Sequence, residues 1–370
     1  MDIVPALLEQ WMRQYYFDTE IDIGSSGVAS YSMSELRKLL DLSQDELDQV
    51  TFDDSRTLGG PGLREAIGDR WANCNPDRVM ATHGSSEGIF LAMNALLRPG
   101  DEVVTVSPCY QQLSAIAESM GCRLRHWGLD FEQGFVADVD RLKSLITRQT
   151  RMLVVNFPQN PTGASLTPGQ LKDLVNVVAE AGSYLVWDGA FAEMTHDLPP
   201  LPDPGTWYDR TITLGTLSKG YGLPGLRVGW CIAAPDILER FVSLRDYITL
   251  HLSPLIELIA ERAVRNAHVL LRFRMEQARA NLNSLGAWVE RHREFVDWAP
   301  PRGGVCAFLR MPGGDVEAFC HRFAREYRVL LVPGTCFDSP GFVRLGFGGP
   351  GPKFEEGLSR LSDLLVKFPW

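Results

Sequence analysis

The sequence predicts an α/β architecture of two unequal parts: a large domain with a mostly parallel sheet flanked by helices, and a smaller α/β domain after it. Three observations predict it. Short apolar or β-branched runs alternate with stretches of helical periodicity, a long helical tract then interrupts the alternation, and the alternation resumes towards the C-terminus.

The elements follow in order. Val103-Val104-Thr105-Val106, Met152-Leu153-Val154-Val155, Tyr184-Leu185-Val186-Trp187, Thr211-Ile212-Thr213-Leu214 and residues 228–233 read as strands, apolar on both faces as a helix-covered parallel sheet requires. Residues 87–97 and 167–181 carry the helical period between them. An earlier strand, Ile21 to Val28, reads as the access segment of the site. Residues 235–293 form the long helical tract, broken near Ser253-Pro254, where proline cannot continue a helix. Beyond it, residues 304–309 read as a strand, 316–326 as a helix, 329–332 and 342–347 as strands, and 354–365 as a last helix. The domain limits expected are 1–45 for an N-terminal segment belonging to the small domain and the access side of the site, 46–265 for the large domain, and 266–370 for the small one.

At 370 residues and 45% hydrophobic content the chain buries a large core. Its net charge of -10 argues against nucleic acid or an anionic membrane as partner, since both would repel it. Cys74, Cys109, Cys122, Cys231, Cys306, Cys320 and Cys336 are scattered without C-x-x-C or a repeated Cys/His spacing, so no metal site is expected. They read as small buried hydrophobes in a reducing compartment. Met1-Asp2-Ile3-Val4-Pro5 lacks a basic region followed by an apolar core, and no run of 18 apolar residues exists. A soluble, cytoplasmic protein is expected.

The chemistry centres on Lys219, in Gly215-Thr216-Leu217-Ser218-Lys219-Gly220-Tyr221-Gly222-Leu223-Pro224-Gly225-Leu226-Arg227. A lysine after an apolar strand, ringed by hydroxyls and glycines, is placed to be desolvated, which lowers its pKa and makes it a nucleophile able to hold an aldehyde as a Schiff base. Thr216, Ser218 and Arg227 suit a phosphate on the same cofactor. Gly220 to Gly225 also matches the dinucleotide pattern G-x-G-x-x-G, but Pro224 and Gly225 fall where that motif needs a helix.

In open α/β sheets ligands bind beyond the carboxyl ends of the strands, so the residues following each strand belong together. Tyr110, after Pro108-Cys109, offers a ring to stack; Asn160, in Asn160-Pro161-Thr162-Gly163, offers an amide; Asp188 offers a carboxylate for a protonated ring nitrogen; and Ser85 and Ser86, in His83-Gly84-Ser85-Ser86-Glu87-Gly88, open a helix whose N-terminus suits a phosphate. Singly, each is an ordinary turn, cap or core residue. Jointly they supply a stacker, an amide, a pyridinium partner, a Schiff-base lysine and a phosphate cradle, and a pyridoxal 5'-phosphate (PLP) site needs them all.

Gly84-Ser85-Ser86-Glu87, Pro108-x-Tyr110, Asn160-Pro161-Thr162-Gly163, Asp188-Gly189-Ala190-Phe191, Ser218-Lys219 with Gly225-x-Arg227-x-Gly229, and Arg344-Leu345-Gly346-Phe347 resemble the motifs of fold-type I PLP enzymes, the class I/II aminotransferase family. The resemblance runs along nearly the whole chain. It implies a large domain with a seven-stranded sheet, usually a homodimer, in which Lys219 carries the cofactor, Asp188 meets the pyridine nitrogen and Asn160 contacts the ring hydroxyl and the substrate carboxylate. It further implies that Tyr110 stacks on the ring, that Ser85, Ser86, Thr216, Ser218 and Arg227 hold the phosphate, and that Arg344 clamps the substrate α-carboxylate.

The chain departs from the family where substrate side chains are met. Phe191 stands where most members have tyrosine, residues 52–64 replace a tyrosine-rich stretch, and residues 21–28 lack the common Gly-x-Pro. These stretches, with Pro108-Cys109-Tyr110-Gln111-Gln112, resemble the capreomycidine synthase-type branch and its enduracididine-forming relatives, which cyclise hydroxylated arginine in natural-product biosynthesis. The resemblance implies loss of water and intramolecular guanidine addition on this chain, with a hydroxyarginine as substrate. Glu9, Asp22, Asp53 and Asp54 are carboxylates available to a guanidinium, and Ser25 lies among them. Two other functions compete: an ordinary aminotransferase, for which every cofactor residue is present, and a regulator with an aminotransferase-like effector domain, which would carry a DNA-binding helix ahead of the fold and sits badly with an acidic chain.

Overall fold

The computed structural model describes residues 3–311 and 313–370. Its strands are β1 (Ile21–Asp22), β2 (Val79–Thr82), β3 (Glu102–Ser107), β4 (Arg123–Gly128), β5 (Thr150–Asn156), β6 (Tyr184–Asp188), β7 (Thr211–Thr216), β8 (Gly229–Ile232), β9 (Asp297–Trp298), β10 (Cys306–Arg310), β11 (Val329–Leu330), β12 (Val332–Pro333) and β13 (Phe342–Gly346).

The large sheet has seven strands in the order β2-β8-β7-β6-β5-β3-β4. Strands β4, β3, β5, β6 and β7 run parallel, while β8 is antiparallel to both of its neighbours, so the sheet is mostly parallel as expected. Its central strands are buried along their length because helices cover both faces; among these are Gly84–Leu96, Pro168–Ala181 and Pro235–Arg245. Thr167 caps Pro168–Ala181 reciprocally with Gln170, proline occupies the first turn, and Gly182 at φ +72° ends it, which explains the boundaries read from the sequence.

The parallel register aligns the strand ends that build the site. Asn156 pairs with Asp188, and Asp188 with Leu214, so the residues leaving β5, β6 and β7 emerge side by side on one edge. A second sheet, in the order β12-β13-β10-β9, lies in the C-terminal part with the helix Val316–Glu326 packed against β12, while the helix Gly351–Lys367 packs on β1 and on the helix Ala267–Arg291.

Several expectations need correction. The single strand expected over 329–332 is two: β11 pairs in parallel with β1, β12 joins β13, and the Leu331 carbonyl between them accepts the Trp11 indole N–H at 2.8 Å. The strand expected from Ile21 to Val28 ends at Asp22, whose Oδ1 accepts from Gly24 N and Ser25 N, both at 2.9 Å, and turns the chain. The helical tract breaks at Asn266 as well as near Ser253, giving Pro254–Arg265 and Ala267–Arg291. Strand β4 escaped notice because it lies at the sheet edge and is mostly solvated, so it carries no apolar run. No helix was expected at Leu7–Tyr15 either; it exists because Leu8, Trp11 and Tyr15 share a buried face. Cys74 is exposed and Cys109 partly so, against the expectation of seven buried thiols. After Gly225 only the short 3-10 turn Pro224–Leu226 forms, which removes the dinucleotide reading.

Candidate active site

At the carboxyl edge of the large sheet lies a cavity of about 290 Å³, lined by Ser85, Ser86, Tyr110, Asn160, Asp188, Thr216, Ser218, Lys219 and Arg227. Every residue that the sequence nominated for the cofactor is therefore in one place. Most arrive on the loop or helix that follows a strand, β2 for the serines, β3 for Tyr110, β5 for Asn160 and β7 for Lys219, while Asp188 and Thr216 are the last residues of β6 and β7.

The serine-rich end is a cradle. The helix Gly84–Leu96 opens with Gly84 at φ +75°, and a Cβ there would come within 2.6 Å of Arg227 NH2. Arg227, itself at φ +54°, donates from NH1 to Ser218 Oγ at 3.3 Å and to Pro224 O at 3.0 Å, and no carboxylate pairs with it among the described residues. Thr216 Oγ1 donates to Ser218 Oγ at 3.0 Å. Four hydroxyls, a guanidinium without a counter-ion and a helix N-terminus make a donor set suited to a phosphate dianion. Behind it, Glu87 anchors the helix start: its carboxylate is held at about 2 against its burial by His83, the buried Arg245 and Thr249.

Asp188 and Lys219 face the middle of the cavity. Burial pushes the Asp188 carboxyl up to about 6, opposed by the Ala190 N–H at 3.1 Å and by the charge of Lys219. Such a buried acid is stabilised by any cation placed against it, and a protonated ring nitrogen is one. Burial, and then the charge of Arg344, lower the Lys219 amine from its ordinary value, with Cys306, Glu9 and Asp188 opposing. Lys219 Nζ donates to Ser26 Oγ at 3.0 Å and lies 5.9 Å from the Phe191 ring centroid. The chemistry of this donor set fits PLP: a nucleophilic amine for the aldehyde, a carboxylate for the ring nitrogen, and a cradle for the phosphate.

A second cavity, of about 480 Å³, opens on the other side of Lys219. Leu8, Glu9, Ser26, Ser218 and Lys219 line both. Arg344 is buried at its wall: Nε and NH2 donate to Gly24 O at 3.1 and 2.9 Å, and NH1 to Asn160 Oδ1 at 3.1 Å. Of the five guanidinium N–H groups, one on each terminal nitrogen is left for a carboxylate. Glu9 Oε1 accepts from Tyr110 OH at 2.9 Å, and burial followed by that carboxylate raises the Tyr110 phenol. Ser25, Asp22 and Glu20 also line this outer cavity, together with Lys353.

The structure does not bring Asp53 to either cavity: residues 51–56 form an exposed loop, and the neighbouring Asp54 instead contacts His251 Nε2 at 3.1 Å. Asp22 reaches the outer cavity, but its Oδ1 is used by the turn at residues 24 and 25. Two site residues were missed. Asn156, in the run read as preceding Asn160, donates from Nδ2 to Asp188 O at 2.8 Å and accepts from Asn160 N at 2.9 Å, so it sets the spacing of both. Ser26 carried no signal beyond its place beside Ser25 and Gly27.

The sequence pattern of the family described as aminotransferase class I and II matches residues 32–361. The chain is 45% identical over 363 residues to a capreomycidine synthase of Streptomyces vinaceus, covering 97% of this chain and 93% of that one. Among solved structures it is similar to a PLP-dependent cyclase, OrfR, with a TM-score of 0.94 and 44% identity over 99% of this chain and 98% of that one. A PLP-dependent aminotransferase from Streptococcus suis 89-1591 also superposes with a TM-score of 0.94, at 28% identity over the whole of both chains.

Proposed function

Because the chain belongs to the class I and II aminotransferase family, we propose that it is a PLP-dependent cyclase in the cytoplasm that closes a cyclic guanidino amino acid, such as capreomycidine or enduracididine, from a hydroxylated L-arginine. The observation that carries this reading is its likeness, along nearly all of its length, to a capreomycidine synthase. The outer cavity supports it, since Glu9, Glu20 and Asp22 are among its lining residues and offer carboxylates to a long cationic side chain.

Each residue has a part in this reading. Ser85, Ser86, Thr216, Ser218 and Arg227 hold the cofactor's phosphate, Asp188 its ring nitrogen, Tyr110 one ring face and Asn160 the ring hydroxyl. When bound, PLP supplies an electron sink for negative charge at the substrate α-carbon. Arg344, with its two remaining N–H groups, clamps the substrate carboxylate, which fixes the α-carbon relative to Lys219. Lys219, its pKa lowered by burial, takes the proton from Cα and delivers a proton to the leaving hydroxyl, which departs as water. Glu9, at the boundary of the two cavities, receives the guanidinium and turns it back towards the carbon it attacks; the attacking nitrogen loses a proton as its bond to carbon forms, Cα regains one, and Ser25 lines the outer cavity. Neither step needs a keto-acid.

We extend the proposal to assembly and domains. Residues 46–265 form the cofactor-binding domain and 266–370 the smaller one, to which 1–45 belongs; the β1–β11 pairing and the Trp11 bond to Leu331 support this. A homodimer is supported by Phe52, Tyr247, Ile248 and Leu250, exposed on segments joined by the Asp54–His251 contact, a face that also carries Asp53. Among the described residues no helix is long and apolar enough to cross a membrane.

The test is incubation with 3-hydroxyarginine and, separately, 4-hydroxyarginine, followed by mass analysis. Loss of one water with all nitrogens retained is the expected result. Rapid transfer of the amino group to pyruvate or 2-oxoglutarate, without dehydration, would replace the cyclase by an ordinary aminotransferase, the activity of the Streptococcus suis neighbour.

A further inference from the structure

Ser26 sits where the two cavities meet, 6% exposed and lining both. It belongs to a short segment strapped at both ends to the site. Gly24 O takes two bonds from Arg344, and Val28 N donates to the carbonyl of Lys219 at 3.3 Å. Between these fixed points Ser26 Oγ accepts the Lys219 amine at 3.0 Å.

The other groups facing that amine are Arg344 from β13, Cys306 from β10, Glu9 from the helix Leu7–Tyr15 and Asp188 from β6, with the Phe191 ring beside it. Glu9 accepts from Tyr110, and Asp188 from Ala190 N. Among the described residues Ser26 supplies the one hydrogen bond that the amine makes. A neutral amine has a single lone pair, so holding one N–H excludes one of the three directions open to that pair and confines it to the other two. In the ammonium form the same bond is charge-assisted and favours the proton.

We infer that Ser26 is a positioning residue for Lys219: whenever the amine is free, the serine oxygen accepts one of its N–H groups, aims its lone pair at the substrate α-carbon and supports the protonated form. In the transfer, the Nζ lone pair takes the Cα proton, the C–H electron pair stays with the substrate, and the ammonium keeps its bond to Ser26 Oγ. The inference rests on Lys219 as the proton carrier of the proposed function and not on ring closure.

The experiment has two readouts. In the cofactor-free protein, the Lys219 amine is titrated by competitive acylation with acetic anhydride across pH, read on the Lys219 peptide by mass spectrometry. Loss of an acceptor for a charged donor lowers the amine's pKa, so Ser26→Ala shifts the titration down by about one unit, and Ser26→Thr, which keeps the oxygen, restores it. In the loaded enzyme, deuterium incorporation from solvent at Cα of L-arginine slows by about tenfold in Ser26→Ala with KM within about twofold, and recovers in Ser26→Thr. Identical titrations for wild type and Ser26→Ala overturn the inference, as does equal loss of exchange in both variants, which would assign the effect to packing. A failed cofactor assignment shows separately, as wild-type protein that develops no visible absorption with PLP, whereas failure of the cyclisation leaves both readouts standing.

Discussion

Replacing Asp188 by asparagine should stabilise the cofactor-free protein while weakening its hold on PLP. Burial raises this carboxyl from its ordinary 3.8 to about 6, roughly two units, which at 1.36 kcal/mol per unit makes ionisation cost the folded protein about 3 kcal/mol at neutral pH. The folded pKa lies above the unfolded one. The favourable contribution of the protonated form is therefore complete below 3.8 and is lost as pH rises through about 6. Asparagine keeps the shape and the acceptor for Ala190 N but carries no charge. Urea denaturation of cofactor-free wild type and Asp188→Asn should show the variant ahead by up to about 3 kcal/mol at about pH 7.5, with the gap narrowing through pH 6 and closing near pH 4. Equilibrium dialysis should show the reverse for PLP, with retention weaker by about 100-fold, the same free energy read as binding. A variant no more stable than wild type at pH 7.5, or a gap that does not change with pH, would refute the idea that Asp188 is a buried charge awaiting a cation.

Three further outcomes follow from the geometry. Lys219→Ala should abolish the cofactor's visible absorption band and all turnover, while circular dichroism of the fold stays unchanged. Glu9→Gln should raise KM for the hydroxyarginine by about 10- to 100-fold, the worth of one hydrogen bond to a charged group, with the cofactor band intact; an equal loss with an uncharged amino-acid substrate would sink the guanidinium role. Gly84→Ala meets both a positive φ and the Arg227 guanidinium, so we expect about 1–2 kcal/mol of destabilisation in thermal or urea unfolding and, because Arg227 is the mobile partner that must give way, reduced PLP affinity.

The fold was legible wherever burial leaves a periodic trace. Strands β3, β5, β6 and β7 are covered on both faces, so their middles are runs of apolar and β-branched residues, and they were read nearly in place. The edge strand β4 and the helix Leu7–Tyr15 were missed because half of each faces solvent or packs on residues more than three hundred positions away, such as Leu331 and His321. The strand expected over 329–332 divided for a similar reason: the chain changes sheets there, and a run of four apolar residues does not show which neighbour each of them meets.

The cofactor candidates Ser85, Ser86, Tyr110, Asn160, Asp188, Thr216, Ser218, Lys219 and Arg227 came from the sequence alone, because a parallel sheet delivers the residue after each strand to a common edge and each type carries its own chemistry. Which acids reach the substrate's far end was a tertiary matter. Glu9 and Asp53 look alike in a list of carboxylates, yet helix packing brings one to Lys219 and leaves the other on an exposed loop. Likewise Ser26 became a partner of the lysine only when Arg344 and the Lys219 carbonyl pinned its segment, since a contact between residues 193 positions apart depends on tertiary packing and leaves no local pattern to read.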